Sequence, residues 1–97
     1  MVDQKQVVKR IQANQAQLTE LGVASLSLFG SVARGDSTED SDIDLLVRFD
    51  GSASFDRYMD LKLFLEDLLE RRVDLVTEQA LREEIRAHVQ QDLLRVA

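Results

Sequence analysis

Gly30-Ser31 is followed by ten residues and then by Asp42-Ile43-Asp44. The glycine-serine pair sits just after an apolar run, and the two acids open a second one. Glycine lets a backbone reach positive φ and approach a ligand closely. The amides near Gly30 and Ser31, with the Ser31 hydroxyl, could bind phosphate oxygens. Arg34 is near enough in sequence to reach the same phosphates. Asp42 and Asp44, two apart in an extended segment, project from one face with Cα atoms about 6.5–7 Å apart. Two like charges so placed raise each other's pKa, and a divalent cation removes the conflict. Magnesium is commonly held by one or two carboxylates plus substrate phosphates. A phosphate cradle beside paired acids is what metal-assisted transfer from a nucleoside triphosphate requires.

Asp74 is the natural third acid. It stands between Val73 and Leu75 in a short apolar run. An acid there is costly unless it meets charge or hydrogen bonds. If that strand lies beside the one opened by Ile43 with the acids aligned, three carboxylates could hold two ions and orient an in-line attack. Taken alone, Asp-x-Asp is also an ordinary strand start, and Gly-Ser an ordinary turn. The fixed gap, Arg34-Gly35 and the third acid together favour the site.

These residues need elements to carry them. Asp3 to Leu21 reads as a helix, with Val7, Ile11, Leu18 and Leu21 near helical spacing and Gly22 as its stop. Ala24 to Phe29 reads as a strand. Gly30 to Ser41 is a polar loop with room for a helical turn. Ile43 to Phe49 is a second strand, with Ile43, Leu45, Val47 and Phe49 on one face and Asp42, Asp44, Leu46 and Arg48 on the other. Asp50-Gly51-Ser52 is a turn signal. Phe55 to Arg71 is a helix with an apolar stripe of Tyr58, Leu61, Phe64, Leu65, Leu68 and Leu69. Met59 and Leu63 lie off that stripe, as part of a wide buried face or as a contact for a partner helix or second copy. Arg71-Arg72 reads as a helix end favoured by the dipole. Val73 to Val76 is a short strand, and Leu81 to Val96 a last helix. His88, the one histidine, is read as a boundary residue of that helix. The class is α+β: a small mixed sheet with helices packed mainly on one face.

Composition narrows the function. Ninety-seven residues fit a single domain, 1–97, with one core. Such a chain has little material for a substrate domain, so a partner or second copy is expected to complete the site. Twelve basic and eighteen acidic residues give a net charge of −6, which disfavours direct nucleic-acid binding and suits a partner with a basic surface. The absence of cysteine excludes thiolate catalysis and cysteine-ligated zinc. No stretch has the length of a membrane span, and the N-terminus lacks a signal-peptide core, so a cytoplasmic location is expected.

Gly30-Ser31-Val32-Ala33-Arg34-Gly35 with Asp42-Ile43-Asp44 resembles the nucleotidyltransferase signature of the DNA polymerase β superfamily. Over nearly its whole length the chain is similar to the minimal nucleotidyltransferases, the MNT antitoxins of HEPN–MNT toxin–antitoxin pairs. The resemblance implies a palm-like fold and two magnesium ions. It implies that Gly30, Ser31 and Arg34 bind the triphosphate of ATP, and that Asp42, Asp44 and Asp74 form the metal-binding catalytic triad. It further implies transfer of AMP to a hydroxyl, a tyrosine of a HEPN ribonuclease toxin encoded nearby, with silencing of the toxin. A hetero-oligomer with that toxin is compatible with the small size. Two other readings stay open: a non-catalytic antitoxin acting by occlusion, and an adenylyltransferase for a small molecule such as an aminoglycoside.

Overall fold

The structure, a computed structural model, describes residues 4–36, 41–51, 54–80 and 93–97. The elements are α1 (Gln4–Gln12), α2 (Gln15–Glu20), β1 (Val23–Phe29), α3 (Gly30–Arg34), β2 (Ile43–Phe49), α4 (Phe55–Leu69), β3 (Val73–Thr77), a 3-10 turn (Glu78–Ala80) and β4 (Leu94–Arg95). The four strands form one mixed sheet in the order β3-β2-β1-β4. β1 runs antiparallel to both β2 and β4, and β2 runs parallel to β3. This is the expected α+β architecture.

Period-two alternation on β2 decides which face is core. Ile43, Leu45 and Val47 are fully buried, as are Leu26 and Leu28 on β1. Register places Leu26 opposite Val47 and Leu28 opposite Leu45. Val7 and Ile11 of α1, Leu18 of α2 and Leu61, Leu65 and Leu69 of α4 join the same cluster. The three helices therefore share one face of the sheet. Burying this many branched apolar side chains, at about 1.5–3 kcal/mol each, is the main favourable term in the fold. Tyr58 locks α4 to β3 by donating its hydroxyl to the Leu75 carbonyl at 2.6 Å.

Three sequence expectations change. The first helix is two helices, because the chain turns at Ala13-Asn14. The Asn14 side chain donates to the Arg10 carbonyl at 2.8 Å, which satisfies an acceptor that a continuing helix would have used. The expected last helix lies mostly outside the described residues, together with His88. Its end is not helical: Leu94-Arg95 pairs with β1, and Val96 is buried in the core. Arg71-Arg72 lies beyond α4, whose C-cap Glu70 is left-handed at φ 55°, so the pair serves the following strand rather than the helix dipole. Among the described residues, no helix is long and apolar enough to cross a membrane.

Candidate active site

The candidate residues gather on the sheet's other face. Side chains on it alternate with the core set, so Asp44 on β2 faces away from the helices. The parallel pairing sets Asp44 directly opposite Asp74 and Ile43 opposite Val73. The antiparallel pairing sets Phe29, the last residue of β1, opposite Asp44. The end of β1, the start of β2 and the start of β3 thus meet at one end of the sheet. Parallel strands bring their own starts together, which is why two acids 30 residues apart in sequence become neighbours.

α3 begins where β1 ends. Gly30 has φ +74°, and a Cβ there would collide with the Asp44 carboxylate. Only glycine lets the turn lie this close to the acid. The helix has no side-chain cap at its start, so its first amides point out beside Asp44 with Ser31 among them. Gly35 closes it in the left-handed region, with its amide bonded to the Val32 carbonyl. Val32 is buried and anchors the turn in the core. Gln4 donates from its side chain to the Ala33 carbonyl and ties α1 to the same turn.

The electrostatics centre on Asp44. Burial pushes its carboxyl up from 3.8 to about 6, and the charges of Asp74 and Asp42 add to the rise. A hydrogen bond with the Asp74 side chain acts in the same direction, and Arg34 opposes it. Asp44 thus senses Asp42, Asp74 and Arg34 at once. Arg34 also pairs with Asp36 at 3.2 Å.

Asp74 differs from its sequence reading in one respect. It is exposed, because it points off the free face of an edge strand, so burial does not penalise it. Asp42 is the acid held apart. Its Oδ1 lies 3.2 Å from the Arg72 Nε, and the Arg71 guanidinium donates to the Ser41 carbonyl at 2.8 Å. Among the described residues, no three acids or histidines stand close enough to ligate a single ion together. The paired carboxylates of Asp44 and Asp74 nonetheless suit a magnesium ion that takes its remaining ligands from phosphate and water. The roles of Arg71 and Arg72 escaped sequence reading. The available signal was their position immediately before the strand that carries Asp74.

Comparison with known proteins follows the same line. The family profile described as "Nucleotidyltransferase domain" matches residues 5–95. A protein of Thermococcus cleftensis named protein adenylyltransferase MntA is 35% identical over 99% of this chain and 98% of its own. A candidate protein adenylyltransferase of Methanocaldococcus jannaschii is 42% identical, over 76% of this chain and 77% of its own. A solved structure of a candidate minimal nucleotidyltransferase superposes with a TM-score of 0.83 at 38% identity, covering 96% of this chain and 95% of that one. The fold is also shared with a complex described as tri-AMPylated Shewanella oneidensis HEPN toxin with MNT antitoxin. There the TM-score is 0.60 and the identity 21%, over 89% of this chain and 71% of that one.

Proposed function

The chain belongs to the nucleotidyltransferase domain family, and on that premise we propose that it transfers AMP from ATP to a hydroxyl of a partner protein. The observation that carries the reading is Asp44 set against Asp74 on parallel strands and against Gly30 at the start of α3. The full-length likeness to a named protein adenylyltransferase supports the choice of a protein acceptor.

In this reading the amides after Gly30, the Ser31 hydroxyl and Arg34 bind the triphosphate. Asp42 and Asp44 would hold two magnesium ions, with Asp74 completing one of the sites. To serve as a ligand, Asp42 would have to give up its pair with Arg72. Bound magnesium supplies neutralisation of the charge that develops on the phosphates. The acceptor oxygen bonds to the α-phosphorus as the bond to the bridging oxygen breaks, and pyrophosphate leaves. The acceptor proton passes to Asp74, which is exposed and placed to release it to water. The products are an AMP ester of the acceptor and pyrophosphate.

The partner is a HEPN-type toxin encoded nearby, its acceptor a tyrosine, and the modification neutralises it. The site lies on an open sheet face, and the partner itself supplies the far wall. The test is transfer of label from ATP marked on the α-phosphate to that HEPN-type protein, with pyrophosphate measured in parallel. Label on the partner and one pyrophosphate per label are expected. Pyrophosphate without label would move the acceptor to a small molecule. Neither product, with a stable complex, would favour neutralisation by occlusion.

A further inference from the structure

The outer side of α4 is not polar throughout, as the solvent face of a helix should be. Phe55 and Leu63 are 75% and 58% exposed, and the half-buried Met59 stands between them. The spacing i, i+4, i+8 lines the three up along the helix. They contribute nothing to the core, which α4 reaches through Leu61, Leu65 and Leu69. Asp56, Asp60 and Asp67 are exposed beside the stripe. Among the described residues none of these three acids has an ion pair or hydrogen bond.

We propose that the Phe55-Met59-Leu63 stripe of α4 is the docking surface for the protein acceptor, and that it receives an apolar helix of that partner flanked by lysine or arginine. The proposal rests on the reading of the chain as a protein adenylyltransferase. Large exposed apolar side chains in a row mark an interaction site, and their spacing fits a helix laid along a helix. Charge selects the occupant. A second copy would bring Asp56, Asp60 and Asp67 against the same acids, on a chain of net charge −6. A basic partner turns that repulsion into attraction and gains in association rate.

The position suits delivery of an acceptor. α4 packs on the core face of the sheet, so its outer side leaves Asp44 and Asp74 uncovered. Its C-terminal end leads through Glu70–Arg72 into β3, the edge strand that carries Asp74. A partner lying along α4 therefore reaches the edge beside the acids, from which its acceptor segment can extend over the open face. Binding and chemistry are separable, and mutation of the stripe should act on KM rather than on kcat.

The experiment compares wild type with Leu63→Glu, Phe55→Ser and Asp60→Lys, using the HEPN-type protein encoded nearby as probe. Complex formation is followed by sedimentation, and AMP transfer as a function of partner concentration. All three substitutions fall on exposed positions, and each variant is checked by the thermal shift that ATP and magnesium produce. The expected result is a KM raised at least about tenfold in Leu63→Glu, a change of about 1.4 kcal/mol, with kcat within about twofold of wild type. Asp60→Lys should weaken the complex at low salt and lose that effect at high salt. An unchanged KM and complex in all three variants would overturn the proposal. So would a dimer of the chain alone that Leu63→Glu dissolves. A wild-type complex broken by Leu63→Glu, with no AMP transfer by any variant, would sustain the docking surface while refuting the enzymatic reading.

Discussion

The Asp44 carboxylate fills the space that a side chain at position 30 would occupy. This contact joins the Gly30 turn to the acids, because moving either residue displaces the other. Gly30 is held at φ +74°, a conformation that costs a non-glycine residue about 1–3 kcal/mol. Gly30→Ala should therefore lower stability by about that amount and reduce transfer at least a hundredfold, since Asp44 must turn away. Urea unfolding and the transfer assay check the two effects. Wild-type transfer in this variant would show that the contact does not matter.

Asp44 also sets how the metal-free chain responds to pH. A carboxyl whose folded pKa stands above its ordinary 3.8 binds its proton more tightly in the folded state. It favours folding at low pH, and stability declines as pH rises from 3.8 to about 6. Partial exposure screens the effect, leaving about 1 kcal/mol. Asp44→Asn removes the charge and can still bond to Asp74. In EDTA it should melt at a higher temperature than wild type at pH 8, with the gap closing toward pH 4. A calorimetric series on the two proteins reads this directly. A variant less stable than wild type at pH 8 would contradict the repulsion at the site.

Tyr58 offers a contrast between framework and site. Its hydroxyl bond to the Leu75 carbonyl holds β3 against α4, one residue past Asp74. Tyr58→Phe should cost about 1 kcal/mol of stability and leave kcat within about twofold. Thermal melts and transfer rates at a temperature well below the transition separate the two.

Residues with a strict local role were readable from the chain alone. β2 runs Ile43–Phe49 as expected, because Ile43, Leu45, Val47 and Phe49 form one period-two apolar set, with Asp44, Leu46 and Arg48 on the other face. The Gly30 turn and the Asp42-Ile43-Asp44 run stand out by their own spacing. The pairing of Asp44 with Asp74 was readable only as a condition, since parallel pairing joins segments that sequence leaves independent. The break at Asn14 was hidden because Val7, Ile11 and Leu18 are all buried and keep helical spacing across it. There the tertiary fold overrides periodicity. β4 was hidden for the opposite reason. Two residues, Leu94 and Arg95, are too few to show alternation, and only their pairing with Leu28 and Ser27 makes them a strand. The Asp42–Arg72 pair depended on that same parallel register.

The proposed function places Asp44 in the machinery of AMP transfer to a protein. Intact mass spectrometry of the HEPN-type protein encoded nearby, after incubation with this chain, ATP and magnesium, tests it most directly. Wild type and Asp44→Asn are run side by side, with the variant's fold confirmed by its melt. A gain of whole AMP units is expected with wild type and none with the variant. An equal gain with Asp44→Asn, or no gain with wild type bound stably to its partner, would contradict it.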